Sequence, residues 1–175
     1  MASAAQDSAV QKNVLEYEKV LQDEVTSEEQ YLTFQIASEN YGIELVQSKE
    51  VIKVPQITNV PNTKNSVLGV INLRGQIVPV IDLKKKLKLG NGEKVSEDEK
   101  RVIVVQQQQT LVGIMVDRIR EVLSIDVDKI QEITESERGI SKEYIEGIFN
   151  YQDNLTIIID INESLFKNKD SKTEE

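Results

Sequence analysis

From Tyr31 the chain alternates. Leu32, Phe34 and Ile36 fall on one face and Tyr31, Thr33 and Gln35 on the other, the period of two that predicts a first β-strand. Upstream the period is different. Val10, Val14, Tyr17, Leu21 and Val25 recur at spacings of three and four, with Ser8 and Gln11 placed as a capping box. Residues 1–28 are therefore expected to form an amphipathic helix in a polar, acidic N-terminal extension, peripheral to the domain that follows.

After the first strand, Asn40 opens a turn into YGIEL, and VQSKEV fits neither period, leaving a helical turn and a bent strand both open. Pro55 and Pro61 bracket a short extended piece, ITNV, and NTKNS reads as a turn. Residues Gly69 to Leu83, GVINLRGQIVPVIDL, then carry two nearly continuous apolar runs broken by Asn72 and Arg74-Gly75. Val70, Ile71 and Leu73, and then Ile77, Val78, Val80, Ile81 and Leu83, put apolar side chains on both faces, which predicts a hairpin covered on two sides. Gly75 supplies the positive φ of a short connection, and Arg74 beside it should reach outward from the turn.

Beyond the hairpin, LKKKLKL suits one or two helical turns and GNGEKVSEDEK a loop. RVIVVQ and TLVGIMV read as strands joined by a polar hairpin end at Gln107 to Gln109. REVLSI, IQEI, YIEGIFN and LTIIIDI supply further short strands, and INESLFKN a closing helix before a charged tail at 168–175. Many short strands between turn signals predict small barrels or a sandwich, and periodicity leaves the choice open.

Composition narrows the class. Valine and isoleucine number 20 each against 13 leucines and 5 alanines, so sheet formers dominate and the chain should be mainly β. Its 175 residues suit one domain. There is no His and no Cys, which removes imidazole and thiolate metal sites, Cys nucleophiles, Ser-His-Asp triads and disulfides. A net charge of −9 disfavours nucleic acid, whose recognition needs a Lys/Arg footprint. No apolar run is long enough to span a bilayer, and Met1 to Ala9 lacks the pattern of a secretory signal, so a cytoplasmic protein without direct membrane insertion is expected.

The hairpin signature, with YGIELVQSKEVIKV at Tyr41 to Val54, GIMVDRIREVLSI at Gly113 to Ile125 and YIEGIFNYQDNLTIIIDINESLF at Tyr144 to Phe166, resembles the CheW family of bacterial chemotaxis coupling proteins. The four blocks stand in family order over about Glu29 to Phe166. The resemblance implies two small five-stranded SH3-like β-barrels packed together, a CheW-like domain over residues 29–167 made of two interleaved barrels. It also implies a function: a non-enzymatic adaptor, monomeric when free, without cofactor or metal. Such an adaptor joins the cytoplasmic tip of methyl-accepting chemotaxis receptors to the regulatory domain of the histidine kinase CheA, and is recruited to membrane receptor arrays.

Residue by residue, Arg74 and Gly75 match the NLRG element and Glu50 the glutamate of a QEI-like element, which the resemblance assigns to the receptor and kinase contact region. Arg74, Glu50 and Gly75 are thus candidates for receptor binding. Glu50 lies in an otherwise apolar stretch and Arg74 at the hairpin, so each should be held by packing on both sides; a carboxylate–guanidinium pair there could be structural or could shape a recognition surface. Because the kinase's regulatory domain itself resembles CheW, related barrels would meet end to end, with Val51 the candidate kinase contact. Ser48 departs from the family pattern, in which an apolar residue often stands two positions before the glutamate.

Other motifs read blandly. Asp126 and Asp128 lack the glycine and the twelfth-position glutamate of a calcium loop, and Gly69 and Gly75 are followed by no Gly-Lys-Ser/Thr. Thirty acidic residues make a paired general acid and base undetectable by spacing, which leaves a carboxylate-based hydrolase as a poor alternative. A CheW-like scaffold of a non-flagellar chemosensory pathway is the nearer one.

Overall fold

A computed structural model describes residues 8–16, 27–90, 92–135 and 139–166. A helix, α1, occupies residues 8–16, and every residue of it is exposed, including Val10, Val14 and Leu15. The remainder of the stripe read from sequence, Tyr17, Leu21 and Val25, lies outside the described residues. No described helix is long and apolar enough to cross a membrane.

The domain begins with β1 (Glu28–Ile36) and β2 (Glu39–Glu44), antiparallel neighbours. A single 3₁₀ turn at Leu45–Gln47 then leads into β3 (Ser48–Lys53), so the ambiguous VQSKEV is first a turn and then a strand. β4 (Val67–Leu73), β5 (Gln76–Asp82), β6 (Arg101–Gln107) and β7 (Thr110–Val116) complete a sheet with β3, in the order β3-β6-β7-β5-β4. Helix α2 (Leu83–Lys86) follows β5, capped by the Asp82 carboxylate, which accepts from Lys85 N at 3.3 Å. The chain then returns to the first sheet with β8 (Arg118–Asp126), β9 (Ile145–Tyr151) and β10 (Asn154–Ile159), in the order β8-β1-β2-β10-β9. One barrel is thus a contiguous insertion in the other. Each contains one parallel pair, β2 with β10 and β5 with β7.

Three apolar clusters explain the unbroken Val/Ile runs. Ile71, Val78, Val80, Val102 and Val104 fill the second barrel, and Tyr31, Ile125 and Ile158 fill the first. The largest cluster lies between them and joins Leu32, Phe34, Ile36 and Ile43 of one sheet to Ile103, Val105, Val112, Ile114 and Val116 of the other. β6 needs no polar face because Val102 and Val104 point into a barrel while Ile103 and Val105 point at the neighbouring one. On the second face of β1, Tyr31 and Thr33 are buried as well. Thr33 on that face is satisfied by Glu121, donating to its carbonyl at 2.7 Å and accepting from its N–H at 3.1 Å beside a bulge between Leu32 and Phe34.

The fold is mainly β and SH3-like, as expected, with three local corrections. The hairpin at 69–83 is fully covered on one face only. Ile71, Val78 and Val80 are buried, but Val70, Pro79 and Ile81 are half-buried and Ile77 is 67% exposed, because β4 is a sheet edge and the hairpin tip projects past the core. IQEI is no strand but makes one bridge, Gln131 to Ile148. Among the described residues the closing helix is a π-helical turn at Asn162–Phe166, held by Asp160, whose carbonyl accepts from Ser164 N and whose carboxylate accepts from Glu163 N.

Candidate functional site

The β4–β5 hairpin closes with two residues, Arg74 and Gly75, between the paired Leu73 and Gln76. Their φ angles, 51° and 84°, are both positive, as a type I′ turn requires. Asn or Gly normally occupies the first of these positions, so Arg74 holds a backbone conformation unfavourable for its type. Two contacts hold it there. The Asn72 side-chain oxygen accepts from Gly75 N at 2.8 Å, and the Arg74 guanidinium donates to both oxygens of Glu50, from NH1 at 2.7 Å and from NH2 at 2.9 Å.

This fork-to-fork pair spans the two ends of the second sheet. Glu50 lies on edge strand β3, and Arg74 sits at the tip of the hairpin whose β4 forms the other edge. The pair therefore clasps the barrel shut. It is not packed on both sides as the sequence reading expected: the Glu50 side chain is 21% exposed, but that of Arg74 is 75% exposed and fixed by directional bonds. Those bonds hold the Glu50 carboxyl below its ordinary range and raise Arg74 further above neutrality. What the clasp contributes is present above the ordinary carboxylate range and is lost as pH falls through the lowered Glu50 value. Beside Glu50 in sequence, Val51 is 39% exposed on the same edge strand, and Ile77 stands exposed just past the turn. Edge backbone, an ordered cation and two exposed apolar side chains thus share one end of the second barrel.

Sequence reasoning missed a second feature. Four carboxylates, Glu29 on β1, Glu44 on β2, Glu146 on β9 and Asp160 just after β10, gather at one end of the first barrel around Tyr31, whose hydroxyl donates to Glu29 at 3.3 Å. Tyr31 pairs with Glu44 across β1 and β2, so the register assembles the group from positions 131 residues apart at the extremes, and no spacing rule could have found it. Glu146 is pushed up to about 7: although the residue is exposed as a whole, desolvation of its carboxyl is the largest cause, followed by the charges of Glu44, Asp160 and Glu29. Glu44 is raised for the same reasons, and burial raises Tyr31. Among the described residues no group of acidic side chains is arranged to hold a metal ion.

The sign of the pH effect follows. A carboxyl raised in the folded state contributes most below its unfolded value near 4.5, and that contribution is lost as pH rises through about 7. Glu146→Gln should therefore leave Tm nearly unchanged at pH 5 and raise it by about 2 °C or more at pH 8. Differential scanning fluorimetry across that window checks it; an equal shift at both pH values would contradict the assignment.

Comparison with known proteins fits this architecture. The family model described as the CheW-like domain matches residues 30–168. The chemotaxis protein CheW of Klebsiella aerogenes is 35% identical over 138 residues, covering 78% of this chain and 81% of that protein, and that of Bacillus subtilis is 33% identical over 144 residues, covering 82% and 91%. Among solved structures, the scaffolding protein TtCheW of Thermoanaerobacter tengcongensis superposes with a TM-score of 0.71 at 35% identity, covering 77% of this chain and 85% of that one. With two five-stranded barrels in the same arrangement and most of the length matched, this chain belongs to the CheW-like family.

Proposed function

We propose that this protein is a non-enzymatic adaptor that couples methyl-accepting chemotaxis receptors to the histidine kinase CheA. The observation that carries the reading is the clasp of Arg74 and Glu50: a cation held by two hydrogen bonds, yet open to solvent, at the barrel end that also exposes Val51 and Ile77. A directional cation beside apolar surface suits recognition of a helical hairpin, with Gly75 letting the turn approach closely. In this reading Arg74, Glu50 and Gly75 meet the receptor and Val51 meets the kinase. Signal transfer needs no catalysis by the adaptor. If one rigid body binds both partners, receptor states that contact it differently bias the kinase.

Residues 1–28 and 168–175 are peripheral in this reading, and the work is done by residues 29–167. The free protein is monomeric and cytoplasmic, joining membrane arrays only through its partners. Sedimentation velocity with the kinase regulatory domain should show a one-to-one complex with an interface of roughly 800 Å² per partner. The chain lacking residues 1–28 should form the same complex, and Val51→Asp should weaken it. Absence of a complex at micromolar concentrations, with both proteins folded, would refute the coupling role.

A further inference from the structure

The two barrels repeat one another in register. In the second, Gly113 pairs with Val104 on one side and Val80 on the other; in the first, Gly42 pairs with Thr33 and Ile158 in the same way. Hairpin β9–β10 therefore answers to β4–β5, and β8 answers to β3, since Val122 opposes Leu32 as Val51 opposes Ile103. On this correspondence Glu121 stands where Glu50 does, and Gln152 where Arg74 does. The turn has the same form, with φ of 48° at Gln152 and 62° at Asp153. The clasp is not repeated.

Gln152 donates from Nε2 to the Tyr151 hydroxyl at 3.2 Å, and among the described residues the exposed Glu121 carboxylate has no hydrogen-bond or ion-pair partner. The interior beneath it changes too. Val78 and Val104, fully buried in the clasped barrel, are answered here by Thr156 and Thr33. Both threonines are 4% exposed. Thr33 is satisfied by the backbone of Glu121, whereas the Thr156 hydroxyl makes no hydrogen bond among the described residues. Thr156 lines an open pit of about 170 Å³, together with Glu121, Gln152, Asn40, Asn154 and Arg120.

We infer that this pit is a docking site for an arginine side chain of a partner protein, whose guanidinium takes the place that Arg74 fills in the other barrel. Two hydrogen bonds to the Glu121 carboxylate repeat the geometry seen at Glu50, and the Thr156 hydroxyl and the side-chain oxygens of Asn40 and Asn154 supply further acceptors. The charge agrees. Arg120 in the pit is set against Glu121 there and against Glu39 and Asp153 in the adjoining cleft of about 240 Å³, which shares Asn40 and Asn154; Arg118, further back on β8, is paired with Glu99. Leu123 and Tyr151 line the same pit and give the methylenes of an arginine apolar contact. The site is distinct from the Arg74 clasp and does not depend on the identity of the partners proposed above.

The test is an NMR titration of the isotope-labelled full chain with N-acetyl-arginine N-methylamide, read at the backbone amides of Glu121, Gln152 and Thr156. N-acetyl-lysine N-methylamide and sodium chloride at matched ionic strength are the comparison arms. The arginine compound should shift the three signals saturably and bind at least about threefold more tightly than the lysine compound, which carries the charge without the fork. Glu121→Gln should weaken binding at least about fivefold with an unchanged melting curve, because the contacts of this residue with Thr33 run through its backbone. Gln152→Arg supplies the guanidinium from within and, once its melting curve confirms the fold, should also bind the arginine compound at least about fivefold more weakly. Shifts no larger than those caused by sodium chloride would overturn the proposal, as would equal binding of the lysine compound. Binding as in the parent protein by Glu121→Gln or by folded Gln152→Arg would overturn it equally.

Discussion

Arg74→Glu should fold and yet lose roughly tenfold or more in affinity for a receptor hairpin fragment, while affinity for the kinase regulatory domain changes by less than about threefold. The substitution acts twice. It removes an exposed cation able to make charge-assisted bonds to a partner, and it faces the Glu50 carboxylate, previously paired at 2.7 and 2.9 Å, with a second negative charge. The clasp would open, so some stability is lost, and a control must separate that loss from recognition. Arg74→Asn is the control, because Asn tolerates the left-handed φ of 51° that the turn imposes. It too should lose receptor affinity, with the turn preserved. Binding of both variants to immobilised receptor fragment and to kinase domain, with melting curves alongside, reads the two contacts separately. Equal loss at both partners, or wild-type receptor affinity in folded Arg74→Glu, would reduce Arg74 to a structural clasp.

That Arg74 and Glu50 would meet was legible from sequence only with help from the family pattern. They stand 24 residues apart on different strands, and their pairing depends on the second sheet curling until its edges meet, which no local period encodes. The turn itself was more legible. Gly75 after a β-branched run signals a short hairpin, although the left-handed conformation of Arg74 did not follow, since Arg carries no preference for it. The same limit explains Ile77. A β-branched residue inside an apolar run reads as core, but exposure at a hairpin tip is set by where the neighbouring barrel ends, a tertiary fact. By contrast RVIVV was legible as a strand, and its lack of a polar face is explained by the cover that β6 has on both sides. The four carboxylates around Tyr31 were invisible for the reason that made the clasp difficult: the group is assembled across strands, and a charge-rich sequence offers many combinations that the fold does not realise.

Gly69→Ala should be the most damaging single-methyl change at a glycine of the hairpin, lowering Tm by about 6–12 °C. Gly69 has φ +146° at the bulge where β4 and β5 shift register, and a Cβ there would lie 2.2 Å from the Thr58 carbonyl oxygen and 2.9 Å from Ile57 Cγ2. The first obstacle is backbone and cannot rotate away. Residues 57–58 would have to lift off edge strand β4, breaking the two bonds by which Thr58 N donates to Val70 O and Val70 N to Thr58 O, each 2.9 Å. Two lost hydrogen bonds with the accompanying strain amount to about 2–4 kcal/mol. Gly75→Ala isolates the conformational part, since a Cβ there meets nothing within 4 Å and only the positive φ of 84° opposes it. Its melting temperature should fall by less than half as much. Hydrogen exchange localises the difference, because the Thr58 and Val70 amides should be deprotected in Gly69→Ala beyond the change in global stability and remain protected in Gly75→Ala. If the two variants melt alike, the close approach at Thr58 carries no stabilising weight, and the conformation of glycine alone accounts for both positions.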